Sequence, residues 1–393
     1  MTDGQLTWRR MRGRDPGEEH RASTPLELLF DLCFVVAVAQ AAAELHHALT
    51  EGHLGAGLAG YVAVFFAIWW AWMNFTWFAS AYDTDDAPYR LLTLLQMAGV
   101  LVLAAGVPRA FEHYDFSVVV AGYVLMRIGL VAQWLRAAAG HPGGRPAALR
   151  YAGGILVVQI GWIARLWAPG VWGWVTFVVL AIAEMAIPAW AEFRGRETAW
   201  HPGHIAERYG LFTIIVLGEV ILATLTAVQS ALTESGVSAP LVLVALGALV
   251  LVFALWWIYF TGAEAHLRTQ RIALTWGYGH YLVFAAVAAL GAGLEVAVDA
   301  VEHKAHVSEQ AAALAVAVPV AVVMVVLAAL HRLTGTGAVA RTAIVAAGVV
   351  LVLLLAFSPP LLGLGGAVAG IAVVVAATLT VNLVVLSTSD RPR

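Results

Sequence analysis

Charged residues and cysteine are both scarce in this chain. Asp, Glu, Lys and Arg make up 12% of its 393 residues, about half the share typical of a soluble globular protein. The lone cysteine, Cys33, excludes an internal disulfide and a cysteine-rich metal site. No basic stripe marks a nucleic-acid surface, so no nucleic-acid partner is expected. What the chain has instead is apolar, since 61% of its residues are hydrophobic.

The hydrophobic residues form runs of about 17 to 25, the length of a membrane-spanning helix. Lipid cannot satisfy backbone N–H and C=O groups, so such runs must be helical, and they lack the alternation of a β-barrel strand. We therefore predict an all-α integral membrane protein with about twelve transmembrane helices and the lipid bilayer as a partner. The predicted spans are 26–49, 57–79, 89–108, 116–137, 150–168, 171–191, 208–231, 239–262, 277–299, 311–331, 338–357 and 361–386. Phe357-Ser358-Pro359-Pro360 must separate the last two, because consecutive prolines cannot continue a helix.

The basic residues predict the orientation of the bundle. With the N-terminus inside, 18 of the 22 Lys and Arg residues fall on cytoplasmic segments, three fall outside and Arg127 lies in mid-span. This asymmetry follows the positive-inside rule and favours an even number of spans with both termini in the cytoplasm. Residues 1–25 have no hydrophobic core, which predicts a cytosolic basic tail rather than a cleaved signal peptide. Residues 387–393 are predicted to form a second cytosolic tail.

A short aromatic pattern occurs twice. Phe66-Ala67-Ile68-Trp69-Trp70 in the second span resembles Phe253-Ala254-Leu255-Trp256-Trp257 in the eighth. Six spans separate the copies, which predicts two parallel six-helix halves, 26–191 and 208–386, related by an axis along the membrane normal. The alternative is chance recurrence, because aromatic residues favour membrane interfaces.

The first candidate site lies where the first span begins. Thr24 and Pro25 are typical of a helix start. Glu27 and Asp31 are four residues apart and therefore share one helix face. Glu27 is equally well explained as a first-turn acid favoured by the helix dipole. Asp31 lies past that turn, so we expect it to face the bundle and to have a partner, since a buried carboxylate is costly alone.

The second candidate site follows the aromatic block of the second span. Asn74 is a polar amide among aromatic residues, and the loop beyond it holds Asp83, Asp85 and Asp86. An acidic loop is often merely solvated. Here the sequence also allows oxygen ligation of a divalent cation by the three aspartates. The other option is salt bridges that lock the halves together, with Arg208, Arg268 and Arg271 as partners.

The third candidate site is the start and middle of the seventh span. Glu207 and Arg208 lie near its inner end, and Glu219 is the deepest acid in the chain. Arg127 is near the middle of the fourth span. A lone charge at either depth is unfavourable, so we expect Glu219 and Arg127 to pair, either as a structural ion pair or as part of an ion or substrate pathway.

At these three places the sequence resembles the bacterial low-temperature-requirement A (LtrA-like) membrane proteins. The similarity lies in Thr24-Pro-Leu-Glu-Leu-Leu-Phe-Asp, in the aromatic block running into Tyr82-Asp83-Thr84-Asp85-Asp86, and in Glu207-Arg208-Tyr209-Gly210-Leu211-Phe212 through Gly218-Glu219. It implies a multi-pass protein of the bacterial inner membrane, in a family named for growth in the cold. The motif positions are Glu27, Asp31, Asp83, Asp85, Asp86, Glu207, Arg208 and Glu219, and no substrate comes with them. Cys33 and the last two spans depart from the pattern.

Three functions are compatible with these features. The leading hypothesis is a secondary transporter or a proton- or cation-coupled pathway for an unknown small molecule or ion, using Glu27, Asp31, Asn74, Arg127, Glu207, Arg208 and Glu219. It requires no cofactor. The second hypothesis is a membrane enzyme acting on a phosphate-bearing lipid or isoprenoid, with Mg²⁺ held by Asp83, Asp85 and Asp86. The third is a non-catalytic membrane factor whose charges lock helices together.

Overall fold

The computed structural model describes residues 8–15, 17–18, 21–192, 198–261, 267, 269–335 and 339–389. This part of the chain holds twelve α-helices and a 3-10 helix at Arg165–Trp167, with no strand, which confirms the predicted all-α class. The helices are α1 (Pro25–Thr50), α2 (Leu54–Tyr82), α3 (Ala87–Glu112), α4 (Ser117–Gly140), α5 (Arg145–Ala164), α6 (Val171–Ala191), α7 (Pro202–Glu234), α8 (Ala239–Phe260), α9 (Gln270–Val301), α10 (Glu309–Leu333), α11 (Val339–Leu355) and α12 (Pro359–Ser389).

Eleven of the described helices are long and apolar enough to cross a membrane, and α11, with 17 residues, is the short one. Helix α7 begins at Pro202, six residues before the predicted span, and continues to Glu234. Proline suits the first helical position, where its missing N–H is no loss. The early start places residues 204 to 208 on a helix, which matters for the site described below.

The predicted break near the C-terminus is confirmed. Helix α11 ends at Leu355 and α12 begins at Pro359. Helix α12 is interrupted at Gly363, whose φ of 68° lies in the left-handed region that glycine adopts without strain.

By its contacts the chain divides into two compact units. Unit 1 comprises Met1–Ala41 and Ala63–Arg208, and unit 2 comprises Ala42–Val62 and Tyr209–Arg393, so the boundaries fall inside α1, α2 and α7. The division into halves 26–191 and 208–386, like the parallel repeat, stays a prediction.

In unit 1, α3 and α4 pack closely where two glycines meet. A Cβ atom on Gly122 would come within 2.5 Å of the Gly99 carbonyl oxygen, so only glycine permits this approach. The described residues of the predicted N-terminal tail pack on the same unit. The Arg10 Nε donates to the Gly140 carbonyl (2.8 Å), and the Arg14 backbone N–H donates to the Ala81 carbonyl (3.0 Å). The predicted C-terminal tail lies mostly outside the described residues.

In unit 2, glycine contacts again define the packing. A Cβ atom on Gly293 of α9 would meet the Ala315 carbonyl of α10, and one on Gly365 of α12 would lie 2.6 Å from the Pro240 carbonyl of α8. Close backbone approach at small residues is the usual way in which membrane helices associate.

The two copies of the aromatic pattern lie in different surroundings. Trp69 and Trp70 are each 1% exposed, whereas Trp256 and Trp257 are 46% and 51% exposed. The first copy therefore belongs to the core of its unit, and the second lies on a surface.

Candidate functional site

Helix α1 begins with a capping box. The Glu27 backbone N–H donates to the Thr24 hydroxyl (3.3 Å), and the Thr24 N–H donates to Oε2 of Glu27 (2.8 Å). This reciprocal pattern satisfies two backbone donors at a helix start. The capping box uses Oε2 of Glu27 and leaves Oε1 available for contacts with other residues. Glu27 thus acts both as an acid of the first helical turn and as a carboxylate that can face a partner.

Helix α7 presents two bases to the two acids of α1. His204 and Arg208 are four residues apart, as Glu27 and Asp31 are, so each pair lies on one helix face. All four residues are 0% exposed. Sequence analysis did not single out His204, and the signal that could have found it is the four-residue spacing of bases that matches the spacing of the two acids.

The four side chains make direct contact within unit 1. Arg208 Nη1 lies 2.9 Å from Glu27 Oε1, and Arg208 Nη2 lies 2.5 Å from Asp31 Oδ1. His204 Nε2 lies 3.1 Å from Glu27 Oε1. The Trp72 indole N–H of α2 donates to Asp31 Oδ1 (2.7 Å). We call Glu27, Asp31, His204 and Arg208 the α1–α7 cluster.

The charges of the α1–α7 cluster do not balance unless it holds an extra proton. Two carboxylates face one arginine, whose guanidinium is always charged. The remaining base is His204, which is neutral unless it gains a proton. Asp31 Oδ2 is buried and has no hydrogen-bond partner among the described residues. A net buried charge is very costly, and a proton on His204 or on a carboxylate would neutralise these four side chains. Arg21, which is buried and interacts electrostatically with Glu27, also offsets their negative charge.

A second buried ion pair in unit 1 corrects a prediction. Arg127 Nη2 lies 2.8 Å from Glu184 Oε2 of α6, so pairing with Glu219 was wrong. The same oxygen accepts from the Tyr123 hydroxyl (2.6 Å), and the Trp162 N–H donates to Glu184 Oε1 (3.1 Å). One acid meets one base, and both carboxylate oxygens have donors. The sequence could not single out Glu184, because it gives no sign of which helices are neighbours.

The three aspartates of the α2–α3 connection have separate partners. Asp85 makes two hydrogen bonds with Arg90 (2.7 and 2.8 Å). Asp86 caps α3 by accepting from the Tyr89 N–H (2.9 Å), and it also accepts from Arg136 (2.7 Å). Asp83 belongs to a third arrangement, described next.

Asp83 faces the arginines of the segment before α1. Its carboxylate lies 3.8 Å from Arg14 and 3.9 Å from Arg21. Burial raises the pKa of Asp83 to about 6, the nearby Glu27 carboxylate adds to the rise, and the two arginines oppose it. Arg21 also caps α2 by donating to the carbonyls of Ala79 and Ser80.

These contacts differ from the salt bridges predicted for the acidic loop. Arg208 pairs with α1 and not with the loop, Arg271 forms no ion pair among the described residues, and Arg268 lies outside them. Nor does the described part of the chain contain a group of three or more His, Cys, Asp or Glu side chains placed to hold a metal ion. The structure thus gives the loop a structural role, and metal binding by Asp83, Asp85 and Asp86 stays a prediction.

The remaining candidate residues are Asn74, Glu207 and Glu219. Asn74 is half-buried and donates to the Trp70 carbonyl of its own helix (2.6 Å). Glu207 is half-buried and accepts from the Ser23 N–H (3.2 Å). Glu219 belongs to unit 2, where it is half-buried and pairs with no cation among the described residues.

Unit 2 has an acidic group of its own. His46 Nε2 lies 2.7 Å from Asp299, and its Nδ1 lies 3.6 Å from Glu295. Glu219 interacts electrostatically with Glu295. These contacts join the last two turns of α1 to the C-terminal part of α9.

The fold and the buried charges define a multi-pass α-helical membrane protein with ionisable residues built into its core. The model of the bacterial low temperature requirement A protein (LtrA) family matches residues 22–379, so the chain belongs to this family. The resemblance seen in the sequence is thereby confirmed.

A curated relative is an uncharacterized protein, RA0937, of Rhizobium meliloti (strain 1021). It is 32% identical over 282 residues, which is 70% of this chain and 64% of the relative. This chain therefore spans less than two thirds of that protein's length. No solved structure matches the chain.

Proposed function

We propose that this protein is a proton-coupled secondary transporter for an unknown small molecule or ion, and that the α1–α7 cluster holds the coupling proton. One observation carries the proposal: Asp31 is fully buried, shares a single arginine with Glu27, and has one oxygen without a hydrogen-bond partner among the described residues. A carboxyl group in this setting has a physical reason to bind a proton.

The proton has two favourable positions in the cluster. On His204 it gives an imidazolium beside Glu27, at the observed 3.1 Å. On Asp31 it leaves Glu27 and Arg208 as a balanced pair. Both states are electrically neutral, and they distribute charge differently along α1 and α7. A two-state element of this kind is what coupling to a second ligand requires.

The setting of the protein follows from the same proposal. We place it in the bacterial plasma (inner) membrane with both termini in the cytoplasm, as the distribution of arginines favours. The ends of α1 and α7 that carry the cluster then lie on the cytoplasmic side. The proton enters or leaves the cluster from that side.

The test uses purified protein in liposomes that contain a pH-sensitive dye, with a potassium diffusion potential imposed by valinomycin. We expect protein-dependent proton uptake that Asp31→Asn abolishes. Asp85→Asn is the matched control, because Asp85 pairs with Arg90 outside the cluster. Infrared difference spectra between acidic and alkaline pH should show a protonated carboxyl band that Asp31→Asn removes.

Two results would overturn the proposal. Proton uptake and the carboxyl band could both survive in Asp31→Asn, which would remove Asp31 from the mechanism. Wild-type protein could also move no protons, either alone or with added inorganic cations, inorganic anions, amino acids, sugars or amphipathic cations. That second result would instead favour a non-catalytic membrane factor.

A further inference from the structure

Arg165 is a buried arginine with no acidic partner among the described residues. It lies in the 3-10 helix that follows α5, and it is 9% exposed. The structure describes three other buried arginines, and each lies within 4.0 Å of a carboxylate: Arg21, Arg127 and Arg208. A guanidinium is always charged, and a buried charge without a counter-ion is costly. Arg165 therefore differs from the other buried arginines in having an unmatched charge.

The contacts of Arg165 hold its side chain in place but leave part of it unused. Its Nε donates to the Gly173 carbonyl (2.9 Å). Its guanidinium carbon lies 4.9 Å from the ring centroid of Phe116, 5.3 Å from that of Phe177 and 6.0 Å from that of Trp162. Aromatic rings attract a cation but carry no net charge. Nη1 and Nη2 have no hydrogen-bond partner among the described residues, and this edge of a guanidinium matches the two oxygens of a carboxylate.

The acid that adjoins the Arg165 contacts in sequence is already engaged. Asp115 precedes Phe116, and its carboxylate accepts from Arg109 (2.7 Å). It also caps the start of α4 by accepting from the Ser117 backbone N–H (3.0 Å). Asp115 therefore does not serve as the counter-ion of Arg165.

Arg165 lines a cavity of about 30 Å³ within unit 1. The described residues that line the cavity include no acid, and most of its wall is aromatic, from Phe66, Phe116, Tyr123, Trp162 and Phe177. A cavity of this size has room for about two water molecules, which is also the space that one carboxylate group needs. A single guanidinium balances a single negative charge, so a monovalent anion fits both the size and the charge of the cavity.

We infer that Arg165 and this cavity form a binding site for a carboxylate that is attached to an apolar chain. The Nη1–Nη2 edge binds the two carboxylate oxygens, and the aromatic wall keeps water away from these charge-assisted hydrogen bonds. The apolar chain stays outside the cavity, which is too small to enclose it. The ligand is either a short-chain carboxylate from water or a fatty acid from the membrane.

The place of the cavity in the fold suits either source. It lies where α4 begins, α5 ends and α6 begins. In the orientation proposed above, this is the outer end of the three helices. The site shares no residue with the α1–α7 cluster and does not depend on the proposed function.

The test measures binding of sodium butyrate to the purified protein in detergent, by saturation-transfer NMR on the butyrate methyl group. We expect saturable binding to wild type. Arg165→Gln should raise the Kd about tenfold or more, because it removes the charge-assisted hydrogen bonds. Arg165→Lys should have an intermediate Kd, because it keeps the charge without the planar fork. The matched control is Arg109→Gln, which removes an arginine outside the cavity and should leave the Kd unchanged.

A second variant guards against the possibility that Arg165→Gln fails to fold. Ala67 lines the cavity, and Ala67→Val adds two methyl groups there while it keeps the arginine. We expect this variant to bind butyrate more weakly than wild type although Arg165 is present. Circular dichroism and gel filtration establish that each variant is folded before its Kd is compared.

Competition experiments identify the source of the ligand. Displacement of butyrate by oleate at far lower concentration would mark the ligand as a membrane fatty acid. Equal affinities for butyrate and oleate would mark it as a short-chain carboxylate from water. Sodium chloride at matched ionic strength should displace neither ligand.

Three results would overturn the proposal. Wild type could show no saturable binding of butyrate or oleate, or folded Arg165→Gln could bind them as wild type does. Chloride could also displace butyrate as well as oleate does, which would make the site one for any monovalent anion. Because binding is measured without proton movement, a negative proton-uptake assay would refute the proposed function and leave this inference standing.

Discussion

Unit 1 contains two buried charge clusters that resemble each other in depth and differ in balance. Arg127 and Glu184 are 3% and 1% exposed, pair one to one, and receive further donors from Tyr123 and Trp162. In the α1–α7 cluster, one arginine serves two carboxylates, and an oxygen of Asp31 has no hydrogen-bond partner among the described residues. Both clusters cost desolvation energy, but only in the Arg127–Glu184 pair does one base meet one acid whose two carboxylate oxygens both have donors.

This difference separates a structural ion pair from a site that can change state. The balanced pair has one favourable protonation state, so it can fix α4 against α6 and do little else. The unbalanced cluster offers more than one position for a proton, on His204 or on a carboxylate. A perturbed buried group with a specific charge partner is a candidate functional residue on general grounds.

Removing the shared arginine should have the largest effect. Arg208→Met leaves the two buried carboxylates of the cluster with His204 as their only basic partner in it, beside the neutral donors Trp72 and Thr24. We expect a loss of unfolding free energy of about 5 kcal/mol, at the upper end for a broken buried pair. Arg127→Met should cost less, because Glu184 keeps its tyrosine and tryptophan donors. Denaturant titration of the purified proteins in detergent measures both. A smaller loss for Arg208→Met than for Arg127→Met would contradict the comparison.

The balanced pair should show strong coupling between its two partners. Arg127→Met and Glu184→Gln should each cost about 3 kcal/mol, and the double variant should be milder than the sum by about 2 kcal/mol. The same denaturant titration on the four proteins gives the coupling energy. Additive losses of unfolding free energy would mean that Arg127 and Glu184 stabilise the unit independently. The two residues could then not be used as the example of a structural ion pair in the comparison.

Glu27 of the unbalanced cluster acts electrostatically on Asp83, and Asp83 should make the stability of the protein depend on pH. Its pKa of about 6 exceeds the ordinary value of 3.8, so its contribution to stability is complete below about pH 3.8 and is lost as the pH rises through 6. Between pH 4 and pH 7 wild type should lose up to about 3 kcal/mol relative to Asp83→Asn. Unfolding free energies at several pH values measure this.

Glu27→Gln provides the control for that pH dependence. It removes a negative charge that raises the pKa of Asp83, so the loss of stability should shift to lower pH. An unchanged pH profile in Glu27→Gln would show that burial alone sets the behaviour of Asp83.

The helices were predictable because membrane thickness and the need to satisfy the backbone leave few alternatives to a long apolar run. The break before Pro359 followed from proline alone. The common face of Glu27 and Asp31 followed from helix geometry. The need of Asp31 for a partner followed from the cost of burying a lone carboxylate. Each of these inferences concerns a single helix.

Contacts between helices were not predictable in the same way. Arg127 could have met several acids in neighbouring spans, and the spacing within α4 carries no information about which helix lies beside it. The two aromatic blocks also show that sequence alone does not determine the surroundings of a helix. Trp70 and Trp257 occupy the same position in a shared sequence pattern, but Trp70 is buried in a core and Trp257 lies on a surface. The predicted seventh span started at residue 208 and so missed the α7 start at Pro202, although proline is suited to begin a helix.

The smallest expected change in stability gives the sharpest test of the comparison. Asp31→Asn converts the α1–α7 cluster into a one-to-one pair of Glu27 and Arg208, with the amide oxygen still able to accept from Trp72. We expect the free energy of unfolding to change by less than about 1 kcal/mol, since the lost charge was in excess and the hydrogen bonds remain. Glu184→Gln, the matched change in the balanced pair, should be several times more costly.

Asp31→Asn should nevertheless abolish proton uptake in liposomes. Glu184→Gln should retain measurable proton uptake in the fraction of protein that folds. This opposite ordering of stability and activity distinguishes a proton site from a structural ion pair. A loss of several kcal/mol in Asp31→Asn would show instead that Asp31 is held as a carboxylate, as Glu184 is. The α1–α7 cluster would then hold its helices together without a mobile proton, and the difference between the two clusters would have no functional meaning.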